Sequence, residues 1–308
     1  MLGDTTVDYS QTSSADGHFG DSPIPMTAEF GAASHVGLVR KNNEDHYAVV
    51  RRVRTRELLL TNLRPPIPAP TSEEVFVLTV ADGMGGEVFG ELASRLALTA
   101  GWEVAPREYA WIQNTGPISL EQVREKAAAY AAQMHQAFQE QARKVPETAG
   151  MGTTLTVAYV VGSEAFICHA GDSRAYLVRG TEISLLTQDH TLAEEYRAAG
   201  RTREEAARVK NILTNYLSEG KEMQLDVDQV ALQDGDCLLL CSDGLSDLVR
   251  EEQIVAAVNS AATPQAACEA LIALALERGG KDNITVVIGK FRIPSLSATT
   301  TYFPTPPQ

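Results

Sequence analysis

Apolar positions in this chain follow two patterns, short runs with strand character and longer stretches recurring at helical spacing, and the two come in blocks. Strands are expected over Ala28 to Val39, Ala48 to Val53 and Val75 to Val80. Residues 62–72 carry four prolines, too stiff and donor-poor for a sheet interior, and are expected to form an extended hairpin loop. Helical spacing runs from Phe89 to about Glu103, just after the paired glycines Gly85 and Gly86. A second helix should start at Ser119, whose hydroxyl can cap it with Gln122 three residues on, and end near Lys144 before Pro146 and Gly150. Four short strands follow, Gly152 to Val161, Ala165 to His169, Ala175 to Arg179 and Ile183 to Leu186, with glycine turns that predict a meander. Residues 191–225 are charged and weakly helical, and Val227 to Leu232 with Cys237 to Cys241 reads as a hairpin across Gln233-Asp-Gly-Asp. Thr263-Pro264 caps a helix to about Glu277, and Asn283 to Arg292 closes as a strand. Antiparallel strands interrupted by helical blocks argue an α+β fold with stacked sheets and helices outside. No internal repeat is visible.

Composition narrows the class. With 44% hydrophobic and 21% charged residues and no apolar run approaching the ~20 residues of a membrane helix, a protein without a membrane span is expected. Residues 1–27 are polar and lack the basic start and apolar stretch of a secretory signal, so a flexible N-terminal segment and a cytoplasmic location are expected. Residues 294–308, mixed Thr, Ser and Pro, read as a disordered tail. The four cysteines form no Cys-x-x-Cys pair and read as buried reduced thiols. A net charge of −14 argues against a nucleic-acid backbone as partner. It also means that any phosphate handled here needs a local positive centre, which divalent cations would supply.

Five short acidic stretches run from one end of the chain to the other: Arg-Lys-Asn-Asn-Glu-Asp at 40–45, Ala-Asp-Gly-Met-Gly-Gly at 81–86, Gly-Asp-Ser-Arg at 171–174, Ser-Asp-Gly-Leu at 242–245 and Lys-Asp-Asn at 281–283. Most follow an apolar run and precede glycine, where the chain leaves a sheet and leaves room for an ion. A shared site for Asp45 and Asp282 requires one domain over roughly residues 28–293. Carboxylates without His-rich or Cys-rich spacing suit Mg²⁺ or Mn²⁺ and argue against zinc or an iron-sulfur centre. Their natural arrangement is two cations about 3.5–4 Å apart sharing a carboxylate and a water. Taken singly, Asp82-Gly83 or Asp243-Gly244 would be a turn, Asp172 a turn cap and Arg40 a solvated charge; the set of five together outweighs that.

In order along residues 28–292, Arg-x-x-x-Glu-Asp, Asp-Gly-Met-Gly-Gly, Gly-Thr-Thr at 152–154, Gly-Asp-Ser-Arg-Ala-Tyr, Leu-Thr-Gln-Asp-His at 186–190, Ser-Asp-Gly-Leu and Asp-Asn resemble the metal-dependent (type 2C) serine/threonine protein phosphatases of bacterial type. The resemblance implies a central antiparallel β-sandwich with helices on both outer faces, and hydrolysis of phosphoserine and phosphothreonine in proteins by a water activated at a dinuclear Mg or Mn centre, reversing kinase signalling. It implies that Asp82 bridges the two core ions, that the Gly83 carbonyl binds one of them, and that Asp243 and Asp282 hold the other. It further implies that Glu44 and Asp45 act directly or through water, that Asp172 helps hold a third, weaker ion, that Arg40 clamps the phosphate, and that Asn283 lies behind the ligands. Residues 191 to about 225 correspond to the family's flap, the region that meets the phosphoprotein. Phosphorylated proteins, including a Ser/Thr kinase or its targets, are the implied partners.

One position departs from many eukaryotic members, where a histidine proposed as proton donor follows the bridging Asp-Gly; here it is Met84, whose thioether cannot donate a proton. His190 is read as structural support. Two alternatives stay open: a phosphatase for one dedicated regulatory partner, and an inactive phosphoprotein-binding scaffold. The complete acidic set and Arg40 weigh against both. A tyrosine-directed, metal-free phosphatase is excluded because no cysteine sits in a phosphate-cradling loop followed by arginine.

Overall fold

The computed structural model describes residues 26–56, 59, 71–86, 89–104 and 118–293. The expectations for the N-terminal segment, the proline-bearing loop and the C-terminal tail fall almost wholly outside the described residues. In chain order the elements are β1 (Thr27–His35), β2 (Asp45–Arg56), β3 (Thr71–Met84), α1 (Phe89–Val104), α2 (Leu120–Lys144), β4 (Gly152–Thr153), β5 (Leu155–Val161), β6 (Glu164–Ala170), β7 (Arg174–Arg179) and β8 (Glu182–Leu185). They continue with α3 (Leu192–Ala198), α4 (Arg203–Ala207), β9 (Leu217–Ser218), β10 (Asp226–Ala231), β11 (Cys237–Cys241), α5 (Asp243–Ser246), α6 (Glu251–Ser260), α7 (Pro264–Glu277) and β12 (Ile284–Arg292).

The strands form a five-stranded sheet in the order β1-β12-β11-β7-β8 and a seven-stranded sheet in the order β10-β6-β5-β3-β4-β9, with β2 paired to β3. Alternation along each strand sends one set of side chains between the sheets. Leu78, Val80, Ala158, Val160 and Ile167 meet Leu177, Leu238, Leu240, Val287 and Phe291 there. The other set is covered too: Tyr176, Leu239, Val286 and Ile288 pack under Ile254 of α6 and Ala267, Leu271 and Ala275 of α7. On the far side, Ala93 and Ala97 of α1 and Met134 and Phe138 of α2 lie over Leu155, Ala170 and Leu217. The layers are therefore helix, sheet, sheet, helix, and strands buried on both faces read in sequence as continuous apolar runs. The cap of α2 is built as its sequence suggests: Ser119 Oγ accepts the Gln122 N–H at 3.2 Å and Gln122 Oε1 accepts the Ser119 N–H at 3.0 Å.

Two pairings differ from expectation. The four strands between Gly152 and Leu186 do not form one meander: β5 pairs β6 in the larger sheet, β7 pairs β8 in the smaller, and the chain crosses between sheets over Gly171 to Ser173. Likewise β10 and β11 are not a hairpin, since β10 pairs β6 while β11 pairs β7 and β12. Turn chemistry is local and does not say whether the next strand folds back or crosses over; the need to cover both inner faces decides it. At the second crossing the buried Asp236 carboxylate takes both arms of Arg179, at 2.9 and 2.7 Å, and also accepts the Gln233 N–H at 2.8 Å.

Candidate active site

The acidic stretches lie where strands begin or end at one end of the sandwich. The 36–44 segment and the 171–173 segment are crossings between the sheets, Asp82 ends β3, Asp243 follows β11, and Asp282 precedes β12. The register of β2 on β3 sets Asp45 directly opposite Asp82. Arg40, Glu44, Asp82, Gly83, Met84, Asp172, Asp243 and Asp282 all line one open cleft of about 660 Å³, and Asn211, Ile212, Leu213 and Tyr216 of the expected flap complete it.

Neither Asp-Gly pair is a turn. Gly83 lies within β3 and Gly244 within α5, and each is glycine because another backbone passes through the space of a side chain. A Cβ on Gly83 would meet the Gly90 carbonyl oxygen at 1.9 Å, and one on Gly244 the Asn283 carbonyl oxygen at 1.9 Å. These contacts lock Asp82 to the start of α1, and Asp243 to the segment that carries Asp282.

Hydrogen bonds hold the backbones behind the carboxylates. The Asp82 N–H donates to Thr154 Oγ1 at 2.9 Å, and its carbonyl accepts from the Thr154 N–H at 2.9 Å and Thr153 Oγ1 at 2.8 Å. Asn283, 4% exposed, accepts the Glu44 N–H at 2.8 Å and donates to the carbonyls of Val36 and Asn42, each at 2.9 Å. The Glu44 carbonyl in turn accepts the Gly83 N–H at 3.2 Å and Ser94 Oγ at 2.5 Å. Asp45, 5% exposed, receives Ser242 Oγ on Oδ2 at 2.7 Å, while its buried Oδ1 has no hydrogen-bond partner. Ser242, Ser94, Thr153 and Thr154 had no assigned role in the sequence, although Ser242 stands directly before Asp243 and the threonines lie in a quoted motif.

The charges are in tension. Burial first, then Asp45, Asp243, Asp172 and Asp282, push the Asp82 carboxyl well above the usual carboxylate range. Burial first, then Asp172 and Asp282, do the same to Asp243. Burial pushes Asp45 up to about 6 against the Ser242 hydrogen bond, and burial with Asp189 pushes Asp172 up to about 6. Among the described residues no three Asp, Glu, His or Cys side chains converge into a ready-made cage; the carboxylates ring the cleft. Asp282 faces Arg40, whose Nη2 donates to Oδ2 at 2.7 Å from a half-exposed position at the mouth. A buried carboxylate oxygen without a donor and a ring of mutually repelling carboxyls both fit hard divalent cations, which are all-oxygen sites' usual occupants.

His190 is not among the residues lining the cleft. Its Nε2 lies 3.0 Å from Asp226 Oδ2, its Nδ1 accepts the Gly171 N–H at 3.2 Å, and its ring stacks on His169 at 5.0 Å. It braces the 171–173 crossing from behind.

Residues 69–275 match the family described as protein phosphatase 2C. The chain is 35% identical over 270 residues to protein phosphatase PhpP of Streptococcus pneumoniae, covering 84% of this chain and 96% of that one. It is 33% identical over 269 residues to serine/threonine protein phosphatase PstP of Mycobacterium tuberculosis, covering 86% of this chain and 45% of that longer protein. Among solved structures, the serine/threonine phosphatase of S. agalactiae superposes with a TM-score of 0.68 at 28% identity, over 85% of this chain and 99% of that one. The catalytic domain of PstP in complex with 2 manganese ions superposes with a TM-score of 0.66 at 30% identity, over 87% of this chain and 99% of that one. With that coverage in sequence and in fold, the chain belongs to the protein phosphatase 2C family.

Proposed function

We propose that this chain hydrolyses phosphoserine and phosphothreonine in phosphorylated proteins and so reverses Ser/Thr kinase signalling in the cytoplasm. The observation that carries the reading is the ring of Asp82, Asp172, Asp243 and Asp282 around one cleft with Arg40 at its mouth. Residues 28–293 act as one catalytic unit, supported by the pairing of β1 with β12, which joins the two ends of that span. The buried free thiols of Cys237, Cys241 and Cys268 suit a reducing compartment.

Asp82, the Gly83 carbonyl, Asp243 and Asp282 would hold two core cations, with Glu44 and Asp45 at their edge and Asp172 toward a third. PstP holds manganese, and Mn²⁺ or Mg²⁺ is the natural occupant here. Such cations, when bound, neutralise the substrate phosphate and make water a nucleophile near neutral pH. Arg40 exchanges Asp282 for the phosphate, which its planar guanidinium can grip with two parallel hydrogen bonds. Asn283 and Ser242 keep Glu44 and Asp45 in place while that exchange occurs. Met84 lines the cleft without a transferable proton, so the leaving oxygen takes its proton from water.

The test is phosphate release from a phosphothreonine peptide and from p-nitrophenyl phosphate with Mn²⁺, Mg²⁺ or EDTA, beside Asp243→Asn. Hydrolysis that needs metal and collapses in Asp243→Asn is expected. Activity that survives EDTA or the substitution refutes the metal mechanism, and failure on both substrates with metal present favours the scaffold.

A further inference from the structure

The rim of the cleft has a chemistry of its own, distinct from its acidic floor. Val39 is 66% exposed and Ile212 50% exposed, yet both line the cleft that holds Arg40. Exposed large aliphatic groups are costly to leave in water and carry information when they edge a site. Neither segment is slack. The 36–42 segment is fastened by Asn283 at both ends and by Leu38 N–H on the Gly280 carbonyl at 2.7 Å. The Ile212 carbonyl accepts the Leu192 N–H at 2.8 Å, its N–H donates to Val209 at 3.1 Å, and Leu213 bridges Thr191. Lys41 and Asn211, from the same two segments, line the cleft as well, and the carboxylate beside Arg40, Asp282, is held by its guanidinium.

From this we infer that Val39 and Ile212 form an apolar seat for the residues flanking the phosphorylated side chain, so that the preferred substrate is a phosphopeptide with large aliphatic neighbours. The inference rests on the phosphatase reading above and deepens it. Val39, Ile212 and Arg40 line one cleft, so a peptide whose phosphate is held on the guanidinium has its flanking residues within reach of that lining. A cationic flank would compete with Arg40 for Asp282, and an anionic flank would approach a protein of net charge −14. An aliphatic flank removes apolar surface from water on both sides of the contact.

The experiment compares kcat/KM of the full chain with Mn²⁺ on three phosphothreonine peptides whose flanking residues are Leu, Ser or Lys, each measured relative to p-nitrophenyl phosphate, which carries no flanking residue. The same series is run on Ile212→Ser and on Val39→Ser, both exposed positions where a polar residue does not threaten the fold. The Leu-flanked peptide should be favoured about fivefold to tenfold over the Ser-flanked one. Each variant should erase most of that preference while hydrolysis of p-nitrophenyl phosphate stays within about twofold. Equal use of the three peptides by the unsubstituted chain, or a preference that survives both substitutions, overturns the inference while leaving the phosphatase reading intact. Absence of p-nitrophenyl phosphate hydrolysis in the unsubstituted chain overturns both.

Discussion

Ser242 and Asp45 are joined across the sandwich, Ser242 Oγ donating to Asp45 Oδ2 at 2.7 Å while accepting the Thr285 N–H at 3.0 Å. One hydroxyl thus fixes a buried carboxylate of one sheet to the strand ends of the other. Ser242→Ala strands both a buried acceptor and a buried donor, and each such loss costs about 1–3 kcal/mol. The urea midpoint should fall accordingly, with metal-stimulated activity falling alongside. A variant as stable and as active as the parent would show that the bond contributes nothing.

Asn283 should act on activity as well as on stability, since its loss also leaves three backbone partners unpaired. Its side chain is the common anchor of Val36, Asn42 and Glu44, the segment that carries Arg40. Freed of it, Arg40 and Glu44 lose their shared position, and errors of an ångström in such groups cost up to ~10²-fold in rate. Steady-state kinetics on Asn283→Ala should show kcat/KM lowered by about tenfold or more in a chain that still folds; unchanged kinetics would remove Asn283 from the site.

Met84→Ala should retain most of the hydrolysis of p-nitrophenyl phosphate, because the thioether offers neither charge nor proton to the reaction. Asp82→Asn, measured in the same assay, should lose on the order of a hundredfold or more, in line with the removal of a principal electrostatic group. Comparable losses in the two variants would give Met84 a direct part in the chemistry.

His169 predicts an acid limb of stability. It is 1% exposed, its Nδ1 lies 3.0 Å from Thr156 Oγ1, its Nε2 lies 3.1 Å from the Gln188 carbonyl, and it faces His190, Asp189 and Asp226. Burial first and His190 second lower its pKa to about 4, with the two carboxylates pulling the other way. The folded chain therefore takes up this proton less readily than the unfolded chain, so the contribution is intact above about pH 6.5 and lost as pH falls toward 4. The loss amounts to roughly 3 kcal/mol at most, given about 1.4 kcal/mol per pH unit. Unfolding midpoints of the parent and of His169→Gln should converge as pH is lowered through that window; parallel curves would contradict it.

Much of the site was legible because its acids and glycines are dictated by position: each follows a buried strand or opens one, and residues so far apart could share a metal only if the whole span folds together. The capping box at Ser119 and Gln122 and the Thr263-Pro264 start of α7 were equally readable, being local geometry written in local residues. Sheet membership was not. The segments on either side of Gln233 to Asp236 look like a hairpin, yet β10 and β11 lie in different sheets, because both faces of both sheets are covered and the apolar pattern does not say which sheet a strand joins. The helix α6 was not legible either: its N-cap is Arg250 rather than a Ser, Thr, Asp or Asn, and Ile254 is its only fully buried residue, so its period is faint. The supporting hydroxyls of Ser242 and Ser94 were silent for another reason, that their partners lie 197 and 50 residues away.

The central claim is that the acidic cleft works by binding divalent cations. Metal-stripped protein titrated with Mn²⁺, with bound ions per chain and phosphate release from a phosphothreonine peptide followed together, tests it most directly. Activity should be absent at the start and appear as two ions bind, and Asp82→Asn should abolish both the tight binding and the turnover. Full turnover by the stripped chain, or by Asp82→Asn with no ion bound, would contradict the account.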